Sequence, residues 1–118
     1  GLGLHGEPGQ TRTKLLPANE LARQLVSRII ADLSPNSGDE VAVLLNGLGA
    51  TPFCQLFIMF REVRKCLDDA GLHVCRSYVG NYATSLDMAG CSVSIMRLDS
   101  ELKRLLLAPA NSPAFVQI

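Results

Sequence analysis

The feature that most constrains the fold is an unbroken apolar run at residues 41–45. Turn-forming residues bound it on both sides, at residues 37–39 and at Asn46-Gly47. A short run of Val and Leu without polar alternation is typical of a strand that is covered on both faces. We therefore predict that this strand lies in the centre of a sheet.

A helix is predicted before this strand. Leu21, Leu25 and Ile29 recur at intervals of four residues, and polar side chains fall on the other side. This period is typical of an amphipathic helix that packs on a sheet. Its start is expected near residues 17–19 and its end at residues 34–36.

A second helix is predicted directly after a turn at residues 47–50. Thr51 is the expected N-cap, Pro52 the first helical residue and Gly71 the residue after the C-cap. The expected core stripe is Phe53, Leu56, Phe57, Phe60, Val63 and Leu67. The first turns carry three more apolar residues, Cys54, Ile58 and Met59. Because these turns are apolar on almost every side, we expect a partner domain or subunit to cover them.

The rest of the chain predicts shorter elements. They are a strand at residues 72–79, a loop at residues 80–90, a half-buried strand from Cys91, a short helix at residues 101–107 and an extended end containing Pro109 and Pro113. A first strand is expected before Pro8. The order strand, helix, strand, helix, strand, strand, helix predicts an α/β fold, with a mixed sheet layered with helices in a single domain.

Composition excludes several classes of function. The chain has 11 basic and 11 acidic residues, so it lacks the electrostatic basis for binding nucleic acid or a membrane surface. It has no Trp and few other aromatic residues, which argues against a base-stacking platform. Its apolar runs are far shorter than the ~20 residues of a membrane span. We expect neither a membrane segment nor a signal peptide.

The cysteines favour a reducing compartment. Cys54, Cys66, Cys75 and Cys91 are widely spaced and form no CxxC pair, so neither a zinc site nor a disulfide framework is indicated. We therefore expect a cytoplasmic protein. The chain starts without Met and inside a predicted strand, and we expect it to be a fragment of a longer chain.

The opening GLGLHGEPG places His5 among glycines. Glycine has no Cβ and accepts positive φ, so such a backbone can fold closely around an imidazole and leave one ring edge open. With an ordinary pKa of ~6.5, a neutral histidine offers a nitrogen lone pair as a base, a metal ligand or a nucleophile. The alternative is a loop histidine that donates a hydrogen bond to a backbone carbonyl.

Other motifs favour structural roles. Residues 1–6 match GxGxxG, but no strand precedes them and no helix begins on them, so a dinucleotide site is not expected. The turn at residues 47–51 could hold an anion at a helix N-terminus, but no Lys or Arg lies nearby, and a tight turn is favoured. His73 is expected to be a half-exposed strand residue without metal-ligand partners. Glu7, Asp87 and Asp99 are expected to form turns, although Glu7 could instead orient His5.

Three segments together resemble a known family. They are residues 3–9 (GLHGEPG), residues 45–52 (LNGLGATP) and residues 84–90 (TSLDMAG). With these segments in order, the chain is similar over essentially its whole length to the C-terminal domain of the substrate-binding subunit of dihydroxyacetone (glycerone) kinases. The resemblance implies that residues 1–118 form this domain and that the subunit's N-terminal domain is absent from the chain.

The resemblance also implies a chemical role for His5. In that family the histidine of the first segment binds dihydroxyacetone covalently, because its distal ring nitrogen adds to the carbonyl carbon and forms a hemiaminal. A neutral imidazole is suited to this addition, and the glycines leave space for a three-carbon ketose. The bond would select the ketone over glycerol, which has no carbonyl group.

The remaining implications concern groups outside this chain. Acid–base catalysis is expected in the missing N-terminal domain. ATP with Mg²⁺, or an ADP phosphorelay with Mg²⁺, is expected to bind a separate domain or subunit. We therefore expect no cofactor in this fragment. The substrate subunits are expected to pair as homodimers. The chain alone is expected to be inactive as a glycerone kinase. An alternative is a non-catalytic ketose-binding coactivator or sensor that uses the same His5 adduct.

Overall fold

The predicted central strand is the middle strand of a three-stranded sheet in the computed structural model, which describes residues 6–85 and 87–118. The elements in chain order are α1 (Ala18–Leu33), β1 (Glu40–Gly47), α2 (Phe53–Asp69), β2 (His73–Gly80), β3 (Cys91–Arg97), α3 (Ser100–Leu106), β4 (Ala110–Ser112) and β5 (Phe115–Gln117). The predicted α/β fold is confirmed.

The sheet has the order β2-β1-β3 and is mixed, as predicted. β1 runs parallel to β2, with Leu44 opposite Tyr78, and antiparallel to β3, with Leu44 opposite Ser94. The parallel pair is possible because α2 carries the chain back across the sheet between β1 and β2. Both the loop after β1 and the connection from β2 to β3 therefore lie at the carboxyl end of β1.

The core lies between the sheet and the first two helices. Val41, Val43 and Leu45 are fully or almost fully buried on one face of β1, and they belong to the same apolar cluster as Ala22 of α1 and Leu56 of α2. Burial of such side chains contributes roughly 1.5–3 kcal/mol each to folding. This layer holds the carboxyl end of β1 in a fixed position.

The first helix begins and ends where its sequence predicts. Pro17 is the N-cap, and its carbonyl accepts a hydrogen bond from the Leu21 N–H at 3.0 Å. Ser34 ends the helix with φ at 47°, in the left-handed conformation that is common after helices. The expectation of a helix from residues 17–19 to 34–36 is confirmed.

The predicted core stripe of α2 is wrong at Phe53 and Phe57, the first two aromatic residues of the helix. Phe53 and Phe57 are 54% and 57% exposed, whereas Leu56 is fully buried and Met59 is 5% exposed. Each residue of a helix is rotated by about 100° from the one before it, and two neighbouring stripes of α2 are both apolar. Only the packing against β1 decides which of the two is buried. The exposed apolar face of α2 consists of Phe53, Cys54, Phe57 and Ile58.

The N-cap of α2 also differs from the prediction. The helix begins at Phe53 with Pro52 as its N-cap, and the Pro52 carbonyl accepts from the Gln55 N–H at 3.0 Å. Thr51 does not cap the helix because its hydroxyl is bonded to Gly90. Gly71, with φ at 73°, follows the C-cap Ala70 as predicted.

The end of the chain forms a hairpin that the sequence pattern did not predict. β4 and β5 pair in antiparallel fashion, where an extended end was expected. The Ser112 hydroxyl accepts from the Phe115 N–H at 3.1 Å and closes the turn that contains Pro113. Gln117 anchors the hairpin through hydrogen bonds to the carbonyls of Leu106 and Ala108 at 2.7 and 2.9 Å. These contacts join distant residues and have no local sequence signal.

The short third helix and the loop after β2 agree with their patterns, whereas the described end of the expected first strand does not. Asp99, which was expected to form a turn, is instead the N-cap of α3, and its carboxylate accepts from the Leu102 N–H at 2.7 Å. Residues 81–85 and 87–90 form a loop without a helix or named strand. At the amino end, residues 6–9 form no strand, and the rest of the expected first strand lies outside the described residues. Across the described parts of the chain, no helix combines the length and apolar character that crossing a bilayer requires.

Candidate functional site at the carboxyl end of β1

His5, the one predicted catalytic and substrate-binding residue, lies outside the described residues. The described residues begin at Gly6, whose φ of 84° is in the region that favours glycine. Residues 6–9 are exposed, and the segment from there to Pro17 has no regular secondary structure. The chain that follows His5 therefore reaches α1 as an irregular segment on the surface.

The second and third motif segments meet in space. Residues 45–52 lead from β1 to α2, and the late loop, residues 81–90 without Leu86, connects β2 to β3. Backbone hydrogen bonds join them: the Ser85 N–H donates to the Leu48 carbonyl at 3.0 Å, and the Ala50 N–H donates to the Met88 carbonyl at 3.1 Å. The two segments thus form one surface at the carboxyl end of β1.

Asn46 joins the start of the late loop to the sheet. Its side-chain oxygen accepts from the N–H groups of Tyr82 and Ala83 at 2.8 and 2.9 Å. Its amide nitrogen donates to the Ala83 carbonyl at 2.7 Å and lies 3.4 Å from the Ser92 hydroxyl. Asn46 is only 2% exposed, and these contacts satisfy its buried amide.

Thr51 joins the end of the late loop to the start of α2. Its hydroxyl donates to the Gly90 carbonyl at 3.0 Å and accepts from the Gly90 N–H at 2.8 Å. The Gly90 carbonyl also accepts from the Leu48 N–H at 3.1 Å. The late loop is therefore held at both of its ends by side chains of the second segment.

Two glycines allow this close approach. A Cβ at Gly49 would lie 2.5 Å from the Ser85 carbonyl oxygen, and the φ of Gly49 is 121°. A Cβ at Gly47 would overlap the Asn81 side-chain oxygen and lie 2.8 Å from the nearest Leu56 methyl carbon. The glycines predicted to form a tight turn are therefore also required by contact with a distant loop.

A cavity of about 550 Å³ lies beside this surface. Thr11 and Leu15, from the segment after the His5 motif, contribute to its lining, together with Thr51 and Gly90. Most of the remaining lining is apolar and comes from α1 and α2. The structure thus brings the chain after the first motif segment next to the other two segments.

Charge is sparse around this cavity. Among its described lining residues, Arg28 is the only charged one, and its guanidinium lies 3.4–3.5 Å from side-chain oxygens of Gln10 and Thr11. Burial raises the pKa of the Cys91 thiol, which keeps this lining residue in its neutral, weakly nucleophilic form. The described lining therefore carries one cationic side chain and no carboxylate.

Of the other candidates, His73 lies apart from this surface, whereas Asp87 belongs to the late loop. His73 is exposed at the start of β2 and its N–H donates to the Asp39 carbonyl at 2.9 Å. Asp87 has φ at 55°, which fits the turn role predicted for it. Within residues 6–85 and 87–118, no three His, Cys, Asp or Glu side chains are grouped as metal ligands.

Sequence reasoning missed the role of Asn46, which was interpreted only as the start of a turn. The available signal was a polar residue at the end of a fully apolar strand, where a buried amide needs partners. Thr51 was wrongly predicted to cap α2, because its hydroxyl bonds instead to Gly90, which is 39 residues away along the chain. Such a partner could not be identified from local spacing.

A family model described as the Dak1 domain matches residues 1–114. The chain belongs to the Dak1 domain family. The match includes all three motif segments, and it confirms the family predicted from them. In this Dak1 domain, the second and third segments form the surface described above.

Curated relatives support the assignment. The chain is 44% identical over 115 residues to the dihydroxyacetone-binding subunit DhaK of PTS-dependent dihydroxyacetone kinase 2 from Listeria innocua, covering 98% of this chain and 35% of that protein. It is 45% identical over 115 residues to a D-erythrulose kinase from Mycolicibacterium smegmatis, covering 98% of this chain and 20% of that protein. The Dak1 domain described here thus spans about a third or less of these relatives.

Solved structures share the fold. One, described as concerning regulation of the dha operon of Lactococcus lactis, superposes with a TM-score of 0.90 at 31% identity, over 99% of this chain and 37% of that one. Another, described as the dihydroxyacetone kinase operon co-activator Dha-DhaQ, gives 0.89 at 30% identity with the same coverage. The Dak1 domain therefore resembles proteins described as kinase subunits and proteins described as regulators.

Proposed function

We propose that this Dak1 domain is the histidine-bearing, C-terminal domain of a dihydroxyacetone kinase substrate-binding subunit. The observation that carries the proposal is the Dak1 match over residues 1–114, because it includes the glycine-rich motif around His5. The relatives described as dihydroxyacetone-binding and erythrulose kinase proteins favour a short ketose as the ligand.

His5 binds the ketose by covalent addition. The distal nitrogen of its neutral imidazole attacks the carbonyl carbon, a C–N bond forms and the carbonyl π bond breaks. The oxygen takes up a proton, and the ring loses its other N–H proton, so the product is a neutral hemiaminal. The reaction needs no oxidant or reductant, and it is readily reversible.

The adduct orients the substrate for phosphoryl transfer. Fixing the central carbon places a terminal hydroxyl for in-line transfer, and positioning is a large part of catalysis for this reaction. His5 anchors the ketose and does not deprotonate the attacking hydroxyl. Acid–base groups belong to an N-terminal domain, and the nucleotide with Mg²⁺, or a phosphotransferase relay, belongs to a separate domain or subunit.

A ketose-binding coactivator is the second candidate. It is favoured by the structure described as the co-activator Dha-DhaQ, which superposes with a TM-score of 0.89. Such a protein would form the same adduct and transmit it to a regulatory partner. The two candidates differ in phosphoryl transfer, so incubation of the full-length protein with ATP or with a phosphotransferase relay separates them.

The adduct is tested by NMR on the full-length protein with dihydroxyacetone labelled with ¹³C at the carbonyl carbon. A protein-bound resonance of a tetrahedral carbon is expected, and it should disappear in His5→Ala. His73→Ala is the matched control, because His73 is exposed on β2 and should leave the signal unchanged. A wild-type protein without the signal, or a signal that persists in His5→Ala, would rule out both candidates.

A further inference from the structure

We propose that Asn46 and Thr51 are positioning residues of the ketose site. Their side chains fix the late loop at the carboxyl end of β1 and thereby set the shape of the cavity that Thr11 and Leu15, from the segment after the His5 motif, help to line. This inference rests on the function proposed above, and it adds two residues whose roles are separate from the covalent chemistry.

Asn46 holds the first part of the loop in one arrangement. Both polar groups of its side-chain amide form hydrogen bonds. The oxygen accepts from two loop N–H groups, and the nitrogen donates to the Ala83 carbonyl. Asn46 lies on the face of β1 opposite Val41, Val43 and Leu45 and follows Ala42 and Leu44, yet it is only 2% exposed. A buried amide at the end of this strand is tolerated because the loop backbone satisfies it.

Thr51 holds the last part of the loop. One hydroxyl both donates to and accepts from the backbone of Gly90, at 3.0 and 2.8 Å. This pair of bonds requires a hydroxyl group and would be lost with any apolar side chain of the same size. Asn46 and Thr51 therefore fix the two ends of the late loop independently.

The location of the fixed loop points to a role in binding. Ala89, Gly90 and Thr51 line the cavity on one side, and Thr11, shortly after the His5 motif, contributes to the same lining. A displacement of the loop end would change the cavity directly. Fully satisfied buried polar networks of this kind specify one geometry more than they add net stability.

The test compares Thr51→Val with Thr51→Ser in the full-length protein. Valine keeps the shape but removes both bonds to Gly90, whereas serine keeps the hydroxyl. Thr51 is half-buried, so neither change opens a large cavity in the core. Two lost hydrogen bonds to a loop predict a fall of about tenfold in ketose affinity for Thr51→Val, with wild-type affinity in Thr51→Ser.

Two readouts are needed. Titration of the ¹³C-labelled adduct gives the ketose affinity, and amide hydrogen exchange measured by mass spectrometry reports the order of the late loop. Asn46→Asp is a second variant, because it keeps the accepting oxygen but places another oxygen against the Ala83 carbonyl, and it should show the same two changes. Exposed Thr13→Val is the matched control for the exchange of hydroxyl for methyl and should show neither.

The outcomes separate this inference from the proposed function. Weaker ketose binding together with faster loop exchange in Thr51→Val, rescued in Thr51→Ser, supports the positioning role. Faster loop exchange with unchanged ketose affinity would overturn it and leave the His5 adduct standing. A wild-type protein that forms no adduct would refute the proposed function, and the positioning role would fall with it.

Discussion

At the scale of single residues, the absence of a side chain matters as much as its presence. Gly49 lets the backbone of residues 47–50 lie against the late loop, and Asn46 and Thr51 supply the polar groups that hold the loop there. His5 supplies the proposed reactive nitrogen. Each of these residues acts through one particular atom or through the lack of one.

Gly49→Ala should therefore be strongly destabilising. Its Cβ would lie 2.5 Å from the Ser85 carbonyl oxygen, in a backbone with φ at 121°. Backbone strain and displacement of the loop together should lower the free energy of unfolding by about 2–5 kcal/mol. Gly38→Ala is the matched control, because Gly38 has φ at 91° but nothing within 4 Å of its added Cβ.

The control should cost only the backbone strain of about 1–2 kcal/mol. Urea unfolding of the two variants of the full-length protein measures the difference. Equal losses in both variants would mean that the contact between Gly49 and the late loop does not constrain the structure.

At the scale of secondary-structure elements, α2 has two different faces. One face packs on β1 through Leu56, Val63 and Leu67. The other is the exposed apolar face, which consists of Phe53, Cys54, Phe57 and Ile58. Charged residues follow it in the second half of the helix. There Arg61 and Lys65 both approach the carboxylate of Glu62, at 2.7 and 3.6 Å.

This cluster on α2 predicts a pH dependence. The hydrogen bond from Arg61, assisted by Lys65, holds the pKa of the Glu62 carboxyl below its ordinary value. A carboxyl pKa that is lower in the folded state gives stability that is complete above the unfolded pKa and is lost as the pH falls through the folded pKa. The free energy of unfolding of Glu62→Gln should therefore fall less steeply with acid than that of the wild type.

Arg61→Met should flatten the same acid limb, because it removes the main cause of the lowered pKa. Denaturant unfolding at a series of pH values measures the slopes. If the slope of Glu62→Gln matches the wild-type slope, the ion cluster does not contribute to acid stability.

At the scale of the whole molecule, the Dak1 domain spans about a third or less of the relatives it matches. The exposed apolar face of α2 is the surface expected to contact a partner, because exposed groups of large apolar side chains mark interfaces. We propose that this face contributes to a homodimer of the full-length protein. The proposal gives a reason for aromatic side chains that do not enter the core.

Phe57→Asp should then weaken the dimer, because it places a charge on an apolar interface. Sedimentation of the full-length protein at several concentrations measures the change in mass. Val116→Asp on β5 is the control, since Val116 is 64% exposed and lies outside that face. A variant Phe57→Asp that remains as dimeric as the wild type would exclude this face from the interface.

Much of this protein follows from its sequence alone, because local signals carry it. The apolar run of β1, the period of α1 and the helix boundaries at Pro17 and Gly71 depend on residues close together in the chain. The family followed from three short motifs in order. These features were predictable because neighbouring residues determine the backbone conformation and the spacing of apolar side chains.

Other features were decided only by the tertiary structure. Which apolar stripe of α2 is buried, the hairpin of β4 and β5, and the bonds from Asn46 and Thr51 to the late loop all depend on contacts between residues far apart in sequence. A hydroxyl such as that of Thr51 can satisfy either a helix end or a distant backbone group. Only the packing of the sheet and helices determines which partner lies within reach.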